Sequence, residues 1–207
     1  CAASLLSALE IPEFAFERIS TDMGGRTTIA DMDGDGKNDV VSSSWGTGRG
    51  NTSDAILVYY RYPDWKRFVI QENRSFFGDE IIAKDFDGDG DTDVVVSRKD
   101  PKDIMIYLNN GNGTSFTEHV AFSVNYSEDK GQNAADFDGD GKLDIAWRNV
   151  NLLYIAYQDT ATSWTTLKMN IDQRENLGIG DVDNDGDIDV VLNGYWMANP
   201  GNRAATA

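Results

Sequence analysis

The sequence predicts an all-β protein, a complete or partial β-propeller of about four four-stranded antiparallel blades. One aspartate-rich loop recurs four times, beginning at residues 31, 85, 136 and 181. Runs rich in Val, Ile, Tyr and Phe, bounded by Gly, Asn and Asp, recur in the same order around each loop, as expected of strands and turns. No segment has a helical period. A repeat of about 50 residues that holds four strands has the length of a propeller blade.

The loops read D-x-D-x-D-G-x-x-D and occupy residues 31–39, 85–93, 136–144 and 181–189. The aspartates at positions 1, 3, 5 and 9 are, loop by loop, Asp31, Asp33, Asp35 and Asp39; Asp85, Asp87, Asp89 and Asp93; Asp136, Asp138, Asp140 and Asp144; and Asp181, Asp183, Asp185 and Asp189. Position 7 is Lys37, Asp91, Lys142 and Asp187. Position 6 is always glycine, which indicates a sharp turn with positive φ.

This arrangement predicts up to four calcium sites. Calcium takes about six to eight oxygen ligands in irregular geometry. Carboxylates at positions 1, 3, 5 and 9 supply such oxygens, and position 7 would bind through its backbone carbonyl, which leaves its side chain free to vary. Without a cation, so many adjacent carboxylates repel one another. The alternative is a set of acidic Asp-Gly turns that bind no ion, and the fourfold repetition argues against it.

The loops are not EF-hands, because an EF-hand needs a bidentate Glu at position 12 and flanking helices. Position 12 is Ser42, Val96, Trp147 and Leu192. Strand-like runs follow every loop, so each loop is predicted to lie inside a β-hairpin.

Within each repeat, a first strand leads into the loop, a second leaves it, and a third and a fourth follow. The predicted first strands are residues 27–30, 80–83, 131–134 and 176–179, and the predicted third strands are 55–60, 103–108 and 152–157. The apolar second strands are suited to burial between blades. The fourth strands, at 65–70, 116–121 and 164–169, alternate and are suited to the outer rim.

The ends of the repeat region leave the number of blades open. Residues 14–19 resemble a fourth strand, and residues 195–199 resemble a short third strand. In a closed ring the N-terminal strand would complete the last blade and give four blades. The sequence favours the other interpretation, a piece of a larger ring, because four blades are few for a propeller.

The loop followed by a Val-rich strand resembles the FG-GAP/VCBS repeats, which are also found in integrin α-subunit propellers. Phe77-Gly78 ahead of Ile81-Ile82-Ala83 is similar to the opening of that repeat. The resemblance covers residues 14–200. It implies calcium-braced blades in which the ion is structural, and a ligand-binding platform that in some proteins is attached to polysaccharide-degrading enzymes.

Composition restricts the partners and the compartment. The formal charge is −17, and the four loops hold 18 of the 35 acidic residues. Such acidity argues against nucleic acid and anionic membranes as partners. No apolar run is long enough for a transmembrane segment. Calcium is abundant outside cells, so the sequence predicts an extracellular, periplasmic or cell-surface protein. Residues 1–13 are predicted to be the remnant of a signal or lipoprotein segment that includes Cys1, or a disordered N-terminus, and residues 201–207 form a tail.

No catalytic residue is predicted. His119 is the only histidine and lies in a rim strand, so no Ser/His/Asp or Cys/His arrangement can be built. Trp65 and Trp164 occupy equivalent positions and are predicted to pack, whereas Trp45 and Trp196 are candidates for an exposed aromatic platform.

The leading hypothesis is a binding or scaffold module for a glycan or a protein. The alternatives are a fragment of a polysaccharide lyase or hydrolase whose catalytic residues lie elsewhere, and a purely structural adhesion repeat. The sequence leaves the oligomeric state open.

Overall fold

A computed structural model describes residues 15–21, 25–44, 54–74, 76–124, 129–172 and 175–203. In these residues the chain forms fifteen β-strands and no helix. Correspondingly, none of the described residues belongs to a helix that is long and apolar enough to cross a membrane.

The strands form four separate antiparallel sheets, and each sheet is a blade whose strands are neighbours in sequence order. Blade 1 consists of β1 to β4, at Thr27–Ala30, Asp39–Ser43, Ala55–Arg61 and Lys66–Arg74. Blade 2 consists of β5 to β8, at Phe76–Lys84, Asp93–Arg98, Asp103–Asn109 and Phe116–Ser123. Blade 3 consists of β9 to β12, at Gly131–Ala135, Asp144–Arg148, Leu152–Thr160 and Ser163–Asn170. Blade 4 has three strands, β13 to β15, at Gly178–Gly180, Asp189–Leu192 and Tyr195–Met197.

The blades are stacked face to face in sequence order, and apolar side chains fill the space between them. Successive side chains of a strand point to opposite faces, so each second strand contributes to two interfaces. Val41 faces blade 2, Val95 faces blade 3 and Ala146 faces blade 4, and all three have 0 % exposure. The first strands of consecutive blades also contact one another, β1 with β5, β5 with β9 and β9 with β13. The chain is therefore an all-β structure with the blade arrangement of a propeller.

The fourth strands lie at the outer rim, as the alternating sequence pattern predicts. In β12 exposed and half-buried residues alternate almost regularly, and β4 is mostly exposed. His119 is half-buried in β8, the fourth strand of blade 2, which agrees with its assignment to a rim strand.

In the part of the chain that the structure describes, the outward face of blade 4 is partly exposed. Val191 occupies the position that corresponds to Val41, Val95 and Ala146, but 38 % of it is exposed. Trp196 lies opposite Val191 across the β14–β15 pair and is 40 % exposed. The predicted exposure of Trp196 is thus confirmed, and its cause is the uncovered face of blade 4.

The strand predicted at residues 14–19 is wrong for the residues that the structure describes, since residues 15–20 form no strand. Residues 16–20 instead line a groove with Val40, Ser42 and Tyr60 of blade 1. The indole N–H of Trp65 donates a hydrogen bond of 2.7 Å to the Glu17 carboxylate, which holds this segment against the first blade. It does not pair with β15, so it does not complete blade 4.

Candidate metal centres

Each of the four loops brings three carboxylates together. The carboxylate oxygens come from positions 1, 3 and 9, and within each loop they all lie within 4.8 Å of one another. The groups are Asp31, Asp33 and Asp39; Asp85, Asp87 and Asp93; Asp136, Asp138 and Asp144; and Asp181, Asp183 and Asp189. Because the loop joins two paired antiparallel strands, its ninth residue lies close to its first.

The position-1 aspartate fixes the turn of the loop by accepting hydrogen bonds from the loop backbone. In the first loop, the two oxygens of Asp31 accept hydrogen bonds from the backbone N–H groups of Gly34, at 2.9 Å, and Gly36, at 2.7 Å. The second and third loops repeat both bonds. The predicted positive φ at position 6 is confirmed, with 81° at Gly36. A side chain there would be strained, which explains the glycine.

The position-9 aspartate is buried and joins the loop to the third strand. One oxygen of Asp93 accepts the backbone N–H of Phe86 at 2.8 Å, and the other accepts the backbone N–H of Asn109 at 2.8 Å. Asp39, Asp144 and Asp189 make the same pair of bonds. This second function was not predicted, because the third-strand partner lies at a different sequence distance in each repeat.

Position 5 lies outside the three-carboxylate groups. Its aspartate accepts the backbone N–H of position 7, as in the bond of 2.8 Å from Lys37 to Asp35. The Lys37 ammonium pairs with the Asp35 carboxylate at 2.9 Å, and Lys142 pairs with Asp140 in the same way. The hydrogen bond from each lysine lowers the pKa of its aspartate. The two lysine side chains at position 7 thus point to position 5, and a ligand role for either position stays a prediction.

The electrostatics of the carboxylate groups suit a cation. Burial raises the pKa of Asp93 and of Asp144 to about 6, and neighbouring aspartates add to that increase. Burial also raises the pKa of Asp87, again with a contribution from adjacent carboxylates. Oxygen atoms that are destabilised in this way are favourable ligands for a hard divalent ion, which offsets both desolvation and repulsion.

Side-chain amides connect the first three loops to the blade that follows each of them. The amide of Asn109 donates to the Met32 carbonyl at position 2 of the first loop, at 3.0 Å. Gln158 donates to the Phe86 carbonyl at 2.8 Å, and Asn199 to the Phe137 carbonyl at 2.7 Å. These three amides were not identified from the sequence. They occur near the C-terminal end of the third strand or just after it, at the residue whose backbone N–H bonds the position-9 aspartate. An amide side chain at that place is the signal that would have found them.

Two of the tryptophans singled out from the sequence pack against other aromatic rings. Trp164 lies beside Phe86 in the core between blades 2 and 3, so its predicted packing role is confirmed. Trp65 packs edge-on against Tyr62 and is half-buried. Trp45 and Cys1 lie outside the described residues.

Comparisons with known proteins agree with this geometry. A family model described as the FG-GAP-like repeat matches residues 85–147, which include the second and third loops. The resemblance to FG-GAP/VCBS repeats is thereby confirmed for that segment. A search of the curated proteins found no match.

The chain is similar to two solved structures. The chain is similar to a lectin from Agrocybe aegerita, described as recognising non-reducing terminal N-acetylglucosamine, with 16 % identity and a TM-score of 0.50. It is also similar to part of the Photorhabdus luminescens Tc holotoxin pore, with 18 % identity and a TM-score of 0.48. The matches cover 86 % and 80 % of this chain, but only 63 % of the lectin chain and 8 % of the toxin chain. At these identities the lectin shows a shared fold.

Proposed function

We propose that each loop binds one calcium ion and that the chain is a calcium-braced propeller module that serves as a binding scaffold. The observation that carries this proposal is the fourfold repetition of one carboxylate arrangement, in which the position-9 aspartate accepts the same pair of main-chain hydrogen bonds each time. The match of residues 85–147 to the FG-GAP-like repeat supports it.

In this proposal the carboxylates at positions 1, 3, 5 and 9 and the backbone carbonyl at position 7 hold the ion. Calcium accepts such a mixed oxygen set together with water. Its role is structural. The position-9 aspartate already joins the loop to the third strand, so an ion bound to it would brace three strands of one blade. None of the chain's residues is assigned a catalytic role.

The partner class is a glycan or a protein, and the compartment is extracellular, periplasmic or the cell surface. The propeller-like fold shared with a lectin supports the scaffold role. The acidity of the chain supports a calcium-rich compartment and disfavours nucleic acid. The proposed repeat region is residues 14–200.

Calorimetric titration of the chelator-treated chain with calcium tests the proposal. We expect four ions to bind per chain, and magnesium to bind more weakly because it requires stricter octahedral geometry. A chain that takes up no calcium at millimolar concentration would contradict the assignment. A glycan array tests the binding role separately, and the calcium-loaded chain is expected to retain a glycan that the chelated chain releases.

A further inference from the structure

A guanidinium group lies against the third loop. Arg203 contacts the carboxylate of Asp138 through Nε and that of Asp159 through Nη1, and its Nη2 lies 3.7 Å from Asp140. The guanidinium also stacks over the Tyr157 ring, 5.4 Å from its centroid. Asp138 is position 3 of the loop, and its side chain is only 5 % exposed. Arg203 therefore contacts a member of the carboxylate group directly and helps to cover it.

The contact involves a carboxylate that is one of the proposed calcium ligands. Oδ1 of Asp138 accepts the backbone N–H of Asp140 at 3.2 Å, and Oδ2 receives Arg203. Both oxygens are thus occupied by N–H donors of the chain. A guanidinium and a divalent cation repel each other, so the two are expected to compete for this carboxylate.

The four loops also differ in charge. The second loop has five aspartates and no cation within its nine residues, and so has the fourth. The third loop has four aspartates with Lys142 among them, and Arg203 adds a second positive charge. Calcium affinity follows the number of charged ligands and the rigidity of the site, so the loops are not expected to be equal.

We propose that Arg203 is a tethered cation that competes with calcium for the third loop, which makes this loop a weaker calcium site than the second and fourth loops. Calcium binding at the third loop then displaces the guanidinium from Asp138. The proposal rests on the proposed calcium function. At this one site the calcium ion and the guanidinium exchange. When calcium occupies the loop, the segment that carries Arg203 is released from it.

Calcium titration of the ¹⁵N-labelled full chain, followed by amide NMR, tests this site by site. The position-6 glycine amides of Gly90, Gly141 and Gly186 report on the second, third and fourth loops. In the wild-type chain we expect Gly141 to shift at a higher calcium concentration than Gly90 and Gly186. The Arg203 Nε–H signal should move with the same midpoint as Gly141, because displacement and binding are one event.

The Arg203→Gln variant should lower the Gly141 midpoint by roughly fivefold, the size expected of a partly exposed ion-pair network, and leave the Gly90 midpoint unchanged. Lys168→Gln is the matched control. It also removes one positive charge, from β12 of blade 3, but Lys168 lies over the Tyr154 ring, 5.7 Å from its centroid, and has no contact with the loop aspartates. Arg203→Lys keeps the charge and should give a Gly141 midpoint between those of the wild type and Arg203→Gln.

The outcomes separate the two proposals. If Gly90 and Gly186 respond to calcium while the Gly141 midpoint equals theirs and is the same in Arg203→Gln, the competition is refuted and calcium binding stands. If Lys168→Gln moves the Gly141 midpoint as far as Arg203→Gln, general charge rather than the contact is responsible, which also refutes it. If none of the glycine amides responds, the calcium function fails and the competition fails with it.

Discussion

The loop aspartates are chemically alike but perform different tasks. Asp85 shapes the loop by accepting two glycine N–H groups, and Asp93 joins it to the third strand. Asp87 accepts a long hydrogen bond, of 3.3 Å, from the backbone N–H of Asp89. Of the three clustered carboxylates of the second loop, that of Asp87 is therefore the one least used to hold the backbone, so a bound ion should depend on it most.

The first prediction compares two aspartates of the second loop. Asp87→Asn should remove most of the stabilisation that saturating calcium gives through this loop, about 2–3 kcal/mol. Asp91→Asn makes the same charge change at position 7, where the backbone carbonyl is the proposed ligand, and should lose far less. Chemical denaturation in excess calcium measures both. Equal losses would show that Asp87 acts only through its charge.

The second prediction concerns the buried position-9 carboxylate. Asp93→Ala leaves the N–H groups of Phe86 and Asn109 without their acceptor, at a cost of about 2–4 kcal/mol. Because this cost is independent of the ion, it should be present in chelator. The control, Asp87→Ala, should be nearly neutral in chelator. Chemical denaturation of both variants without calcium measures the two free-energy costs. An Asp93→Ala variant as stable as the wild type would disprove the structural role of Asp93.

At the scale of the elements, the second strand of each blade decides how blades associate. Its residues face the preceding and the following blade alternately, and apolar side chains at these positions are buried wherever a neighbouring blade covers them. The side-chain amides that reach the preceding loop add directional contacts to the apolar interface. Val191 occupies the same place in its second strand as Val95, yet only Val95 is covered by a neighbouring blade.

The third prediction uses this pair. Val95→Ser should cost about 2–3 kcal/mol, because burial is lost and a hydroxyl enters the core between blades 2 and 3. Val191→Ser makes the same change at the equivalent position of blade 4 and should cost under about 1 kcal/mol. Urea denaturation measures the two costs. Comparable costs would show that the outward face of blade 4 is covered in solution, which light scattering would then identify as self-association.

At the scale of the whole molecule, acidity and metal binding are linked. The chain carries a formal charge of −17, and about half of its acidic residues lie in the four loops. Four calcium ions would reduce the net charge to about −9, since each adds two positive charges. Repulsion among the carboxylates of its loops should therefore lower the stability of the chain in chelator.

The fourth prediction follows from this repulsion. Saturating calcium should raise the melting temperature well above that in chelator, because an ion that binds only the folded chain stabilises it. In chelator, about 1 M sodium chloride should recover part of the difference, since it reduces the Debye length to about 3 Å. Thermal melts followed by circular dichroism test both effects. Coincident melts with calcium and with chelator would rule out a structural role for the ion.

The sequence by itself determined the repeat, the all-β class and the residues of the loops. These are local features. A ninth-position aspartate, a glycine that must have positive φ, and alternation with a period of two are all set by neighbouring residues in one hairpin. The strands that precede and follow each loop were consequently found within a few residues of their positions in the structure.

The tertiary structure decided what depends on contacts between distant residues. Asn109 reaches Met32 of the preceding blade, and the corresponding amides of Gln158 and Asn199 reach their preceding blades over different sequence separations. Arg203 reaches Asp138 across 65 residues, a contact made at one loop. The segment at residues 15–20 has a strand-like pattern, but it lies over blade 1 instead of completing blade 4. Sequence periodicity describes each blade, whereas the packing of one blade on another fixes which faces are covered and which loop receives an internal cation.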